Sequence, residues 1–229
     1  RPDGRTPRGL PAMRIGCFGD SITEGAEFPA DERWTTRLAA HLERRAPGRY
    51  RLYSRGVGGE TSTLALQRYA SAVRPLRPSV VLVEYGLNDA NVYDGTDQPR
   101  VALDRYADNL ARIAGWVRDD GGRCILIVNH SLGRIRGRQG NGRDYLANFA
   151  PYNARVIAVA QALNTPYIDL PSMMQARGVA TDEFVSGDGV HLSVAGNRWY
   201  AEMVFDGLSD AGVLDTAHDG DGDATRPCY

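Results

Sequence analysis

Lysine is missing from this chain: all 27 of its basic residues are arginine. That absence excludes a phosphate-binding loop built around its lysine, a pyridoxal Schiff base and any serine–lysine dyad. Arginine keeps its proton, so it can clamp an anion but is a poor general base. Proton transfer therefore falls to His, Asp, Glu, Tyr or Cys. Cysteine is scarce as well, with residues 17, 124 and 228 only. Three thiols without metal-ligand spacing make neither a disulfide framework nor a zinc site. Histidine occurs four times, at 41, 130, 191 and 218. No apolar run approaches the about 20 residues of a membrane span. The 27 basic residues nearly balance 28 acidic ones, which removes any electrostatic reason to expect nucleic acid or an anionic membrane surface as partner. The opening stretch RPDGRTPRGLPA holds no apolar signal core, so the expectation is a cytoplasmic protein. The first residue is Arg1, which leaves secretion open. Nothing in the sequence sets an oligomeric state.

What the 229 residues do contain is alternation. Apolar runs at 13–18, 50–54, 79–85, 123–129 and 166–169 read as strands. Amphipathic patterns at 32–46, 62–74, 99–119, 148–164 and 193–208 read as helices. In 99–119, Leu103, Tyr106, Leu110, Ile113 and Val117 recur three and four residues apart and make one apolar face. Strand–helix alternation implies βαβ units, a parallel sheet and a three-layer α/β/α sandwich. One domain is expected over residues 13–208, with an N-terminal extension at 1–12 and an acidic, flexible C-terminal tail at 209–229.

Chemistry concentrates in four segments beyond strand ends or in the last loop: GDS (19–21), GVGGETS (56–62), GLND (86–89) and DGVHLS (188–193). Connections at the carboxyl edge of a parallel sheet share one rim, where ligands bind. Acyl transfer needs a nucleophile, a base, an acid to orient the base, and donors for the oxyanion. Ser21 suits the first role, His191 the second and Asp188, three residues earlier, the third. The backbone amides of Ser21 and Gly59 and the side-chain amide of Asn88 suit the fourth.

These four blocks, in this order, resemble those of the SGNH (GDSL-type) hydrolase superfamily. The resemblance covers residues 14 to about 205 and implies a flavodoxin-like sandwich with a five-stranded parallel sheet. It implies a serine esterase or deacylase that cleaves an acyl ester or thioester of a small molecule, acylated sugar or lipid. The route would be an acyl-serine intermediate, with no cofactor and no metal. Residue by residue, it assigns Ser21 as nucleophile and oxyanion donor, Gly59 and Asn88 as further donors, and Asp188 and His191 as the acid–base pair.

Alternatives remain at several positions. His130 follows the fourth strand and competes with His191 as base or as a substrate contact. Asp182 is an alternative partner for the imidazole. Asp20 and Asp89 read as structural, and Cys17 sits in an apolar strand that disfavours a thiolate. Arg134, Arg136, Arg138 and Arg143 crowd the loop 131–147, either to bind an anionic substrate group or as a solvated loop. The same site suits an acyltransferase, and a flavodoxin-like binding module is the reading from outside catalysis.

Overall fold

The computed structural model describes residues 11–214. Residues 1–10, His218, Cys228 and most of the expected acidic tail lie outside them. The apolar runs form five strands: β1 (Met13–Gly19), β2 (Tyr50–Gly56), β3 (Val80–Glu84), β4 (Arg123–Val128) and β5 (Tyr167–Asp169). All pair in parallel, in the order β2-β1-β3-β4-β5. Every residue of β3 is buried, because a central parallel strand is covered on both faces.

Among the described residues eight α-helices fill the connections and the C-terminal side: α1 (Ser21–Glu24), α2 (Trp34–Arg45), α3 (Ser62–Ala72), α4 (Leu103–Asp119), α5 (Tyr145–Ala162), α6 (Leu170–Arg177), α7 (Thr181–Phe184) and α8 (Val194–Asp210). Right-handed crossovers dictate their layers. The chain steps one way from β1 to β2 and the other way from β2 to β5, so α2 falls on one face and α3, α4 and α5 on the opposite one. The last helix then returns to α2, with the Trp34 and Tyr200 rings 4.6 Å apart. On the other face Tyr69 packs on Trp116 at 5.3 Å and Tyr106 on Tyr152 at 5.1 Å. The reversal of direction opens a crevice beyond the carboxyl ends of β1 and β3, the usual ligand position in this class of sheet.

Three differences from the sequence reading have local causes. The fifth helix begins at Tyr145, inside the expected loop, because Asp144 caps it by accepting the Ala147 amide at 2.7 Å. Pro151 lies within that helix and leaves the Ala147 carbonyl without its helical donor. The Arg143 guanidinium donates to that carbonyl at 2.9 Å, so this arginine repairs a helix rather than meeting a substrate. At the C-terminal side, α8 reaches Asp210, and Val213 and Leu214 are buried against the core. Residues 209–214 therefore belong to the folded unit, which corrects the expected start of the tail. Among the described residues no helix is long and apolar enough to cross a membrane.

Candidate active site

Gly19-Asp20-Ser21 is the turn that leaves β1. Asp20, fully buried, is the N-cap of α1 and accepts the Ile22 amide at 3.0 Å. Capping thus falls to Asp20, and Ser21 stands free as the first helical residue. Gly19 is required by space: a Cβ there would meet Thr23 Oγ1 at 2.3 Å and Glu84 Oε2 at 2.7 Å.

The DGVHLS segment approaches from the other side of the rim. Val185 and Leu192 form an isolated bridge, the Ser186 amide donates to the His191 carbonyl at 2.7 Å, and Ser193 caps α8. Gly189 holds a positive φ of 78° that lets the chain turn between Asp188 and His191. Asp188 Oδ1 accepts the Val190 amide (2.8 Å), the His191 amide (2.9 Å) and the Ser186 hydroxyl (2.9 Å). Its Oδ2 lies 2.6 Å from His191 Nδ1, and His191 Nε2 lies 3.0 Å from Ser21 Oγ. Partial burial would raise the Asp188 carboxyl, but these donors outweigh it and hold the group well below the usual carboxylate range. A carboxylate at Nδ1 favours the tautomer whose Nε2 lone pair faces the serine hydroxyl. Asp182, exposed in α7, has no place in this chain of bonds.

Two loops converge on Ser21. The Gly58 amide donates to Glu24 Oε2 at 2.7 Å, which draws the GVGGETS loop against α1. Gly59 follows with φ 73°; its amide and that of Ser21 meet no acceptor among the described residues. Asn88 Nδ2 donates to Asp20 Oδ2 at 3.0 Å, which leaves the amide's second hydrogen for another acceptor. Asp89, buried at the end of the same loop, accepts the Ser62 amide at 3.1 Å and the Ser62 hydroxyl. That bond ties the Asn88 loop to the start of α3 and so to Gly59.

Beneath the turn lies an acidic cluster that the sequence reading missed. Glu84, buried at the end of β3, accepts the Thr23 hydroxyl at 3.0 Å and the Asp20 amide at 3.4 Å. Burial pushes both carboxyls up, Glu84 to about 7; the charge of Glu84 raises Asp20 further, whereas hydrogen bonds from Thr23 and Asp20 partly offset the rise at Glu84. A glutamate inside the apolar run SVVLVEY was the available signal, since a buried strand tolerates a charge only with partners.

His130 corrects an expectation. It is fully buried between the Phe184 ring (5.3 Å) and the Tyr200 ring (6.4 Å), and Nε2 meets the Val190 carbonyl at 2.8 Å. The side chain supports the His191 loop from behind and touches neither the rim nor a substrate path. Burial lowers its pKa to about 4. The unfolded chain therefore binds a proton that the native state refuses, so stability falls as pH drops from about 6.5 toward about 4. The loss expected is about 3 kcal/mol, seen as a fall in Tm across that window; His130→Asn, which cannot charge, should flatten it.

Ser21, Asn88, Asp188 and His191 line one cavity of about 450 Å³ with Tyr93, Tyr145 and part of the arginine loop. Arg136 and Arg138 line it, whereas Arg134 is exposed and does not. Arg134 is thus removed as a substrate contact. The loop itself is a wall rather than a solvated excursion: Gln139 Oε1 accepts the Val92 amide at 3.1 Å and Asn148 Nδ2 at 2.8 Å. Arg138 Nη1 donates to the Gly142 carbonyl at 2.7 Å, and Asp94 and Arg136 both line the cavity. Cys17 and Cys124 are buried, and burial pushes both thiols up. Among the described residues no cluster of His, Cys, Asp and Glu is arranged to hold a metal ion.

The sequence pattern of the GDSL-like lipase/acylhydrolase family matches residues 17–199, a span that contains all four blocks. The chain belongs to that family. This GDSL-like hydrolase is 25% identical over 228 residues to an uncharacterized lipoprotein, YqeF, of Bacillus subtilis, covering 87% of this chain and 89% of the relative. It is 22% identical over 191 residues to an arylesterase of Vibrio mimicus, covering 83% and 86% of the two. Among solved structures, the lipase/acylhydrolase from Enterococcus faecalis superposes with a TM-score of 0.67 at 26% identity, covering 87% of this chain and 96% of that one. The GDSL-like hydrolase is accordingly a serine hydrolase that cleaves ester bonds.

Proposed function

We propose that this hydrolase removes an acyl group from a neutral, polar alcohol through an acyl-serine intermediate. The observation that carries this reading is the continuous chain Asp188–His191–Ser21, with separations of 2.6 and 3.0 Å. In it, His191 takes the Ser21 proton as Oγ attacks the ester carbonyl, then delivers it to the departing alkoxide. Asp188 holds the ring and stabilises the imidazolium. The carbonyl oxygen, now an anion, is received by the amides of Ser21 and Gly59 and the Asn88 side chain.

The cavity supports a polar, uncharged leaving group. Asn88, Asn91 and Tyr93 bring amide and hydroxyl groups to its lining, and Asp94 lines it as well as Arg136 and Arg138. A bidentate clamp uses one guanidinium fork, and Arg138 already gives Nη1 to the Gly142 carbonyl of the loop backbone. His191 is 32% exposed, which gives water a direct approach and favours hydrolysis over acyl transfer. The similarity to a lipoprotein adds a reason to test for export when the protein is expressed in its native host.

Neutral and anionic esters of one acyl group test the substrate class: the neutral ester should turn over faster, and equal turnover of the two would refute the uncharged-alcohol assignment. Asn88→Ala should lower kcat by about 10² to 10³ with little change in KM, the signature of a donor used mainly in the transition state. Intact-mass detection of an acyl adduct on Ser21 reads the intermediate directly.

A further inference from the structure

The segment AEFPADER, which follows α1, carries no motif, yet it delivers a second carboxylate to the imidazole. Gly25 ends α1 with φ 59° and reverses the chain, with a Cβ position 3.2 Å from the Arg33 side chain. The turn is then pinned on both sides. The Phe28 amide donates to the Gly25 carbonyl at 3.1 Å, Arg33 Nε to the Phe28 carbonyl at 3.1 Å, and the Glu32 amide to the Pro29 carbonyl at 3.0 Å. Glu27 lies inside this pinned turn, and its Oε1 stands 3.6 Å from His191 Nε2. No other partner of this carboxylate occurs among the described residues. It is half exposed and is not part of the cavity lining. The nitrogen that handles every proton in the reaction therefore has two neighbours: the Ser21 hydroxyl and a carboxylate beside the solvent-open edge.

We propose that Glu27 positions the water that hydrolyses the acyl-enzyme, which biases the site toward hydrolysis and away from acyl transfer. The inference rests on the acyl-serine reading above. Once Ser21 is acylated, its oxygen no longer donates to Nε2, and the incoming nucleophile takes up that bond. A water held at Nε2 by one hydrogen has its second hydrogen free, and Glu27 Oε1 is the acceptor within reach. Two hydrogen bonds of ordinary length to one water span about 4.4 Å. The resting separation of 3.6 Å is somewhat shorter, a difference that a half-exposed glutamate absorbs by a small rotation. With both hydrogens engaged, a lone pair of the water faces the acyl carbonyl. The water oxygen then bonds to the carbonyl carbon and one water proton passes to Nε2. The C–O bond to Ser21 breaks, and Nε2 returns that proton to Oγ. The second water proton leaves with the carboxylic acid product, so Glu27 accepts a hydrogen bond and no proton. A competing alcohol has one hydrogen, which Nε2 takes, and gains nothing from the carboxylate. Acylation does not use this water.

The experiment separates the two half-reactions. Acetylation of the enzyme by 4-nitrophenyl acetate is followed by rapid mixing, and loss of the acetyl group from Ser21 by intact mass. In Glu27→Ala the deacylation rate constant should fall about tenfold, the worth of one hydrogen bond, while the acylation rate constant is unchanged. Glu27→Gln, whose amide oxygen still accepts, should lie between the two. With methanol present, the ratio of methyl acetate to acetate should rise in Glu27→Ala by the same factor. Equal slowing of both half-reactions would make Glu27 an electrostatic partner of the imidazolium and overturn the proposal, as would no change in either. Ser21→Ala run alongside keeps the two readings apart: an acetyl adduct or undiminished turnover in that variant refutes the acyl-serine reading itself.

Discussion

Ser21→Ala should lower kcat on a chromogenic acetate ester by about 10⁴-fold or more, leave KM nearly unchanged and abolish labelling by a fluorophosphonate. The size follows from the absence of a substitute. Cys17 and Cys124 are buried with their thiols pushed up, and no other serine, threonine or cysteine lines the cavity beside Ser21. Stability should hold. The Ser21 side chain bonds only to His191, and capping of α1 belongs to Asp20. Circular dichroism and Tm matching the native protein, together with the lost rate, would place the effect in chemistry. A variant that keeps most of its turnover would mean that the attacking atom lies elsewhere.

The second large effect is expected at the imidazole. His191→Ala removes both the acceptor of the Ser21 proton and its donor to the leaving group, a loss of about 10⁴ in kcat. Asp188→Asn should cost somewhat less, about 10² to 10⁴. The amide retains one oxygen for the backbone donors but presents the wrong group to Nδ1. The comparison with His130 is decisive. His130→Asn acts on stability at acid pH through a buried, neutral ring, whereas His191→Ala acts on rate at every pH. Because Asp188 is held well below the usual carboxylate range, the acid decline of kcat/KM should not shift in Ser186→Ala, which removes only one of its four donors. A rate profile measured on both proteins checks this.

How far the sequence was legible varies with the length scale of the signal. Strands β3 and β4 announced themselves as continuous apolar runs, because a strand covered on both faces has no polar side. The four blocks were legible because each sits where a strand or loop must release the chain to the rim. Short helices were not legible. The sixth, Leu170–Arg177, follows Asp169 directly, so the same aspartate ends a strand and caps a helix. The arginine loop misled for a different reason. Its charges read as solvated or anion-binding, but Arg138 and Arg143 satisfy loop and helix carbonyls, a use that depends on where those carbonyls point. Glu27 escaped because a single carboxylate in a turn carries no pattern, and Glu84 because the apolar run around it was read only as a strand.

Composition, periodicity and block order were enough to determine the parallel sheet, the dependence on histidine and carboxylate for proton transfer, and the identity of Ser21, Asp188 and His191 as the group to watch. These properties are local or repetitive, so they survive in one dimension. Tertiary structure decided which histidine faces the serine and which lies behind it. It also decided which arginines reach the cavity and which acids share the imidazole and the turn beneath Ser21. Each of those outcomes is a distance between residues tens to more than a hundred and fifty positions apart. Such distances are set by strand order and by the handedness of the crossovers, which no single segment encodes.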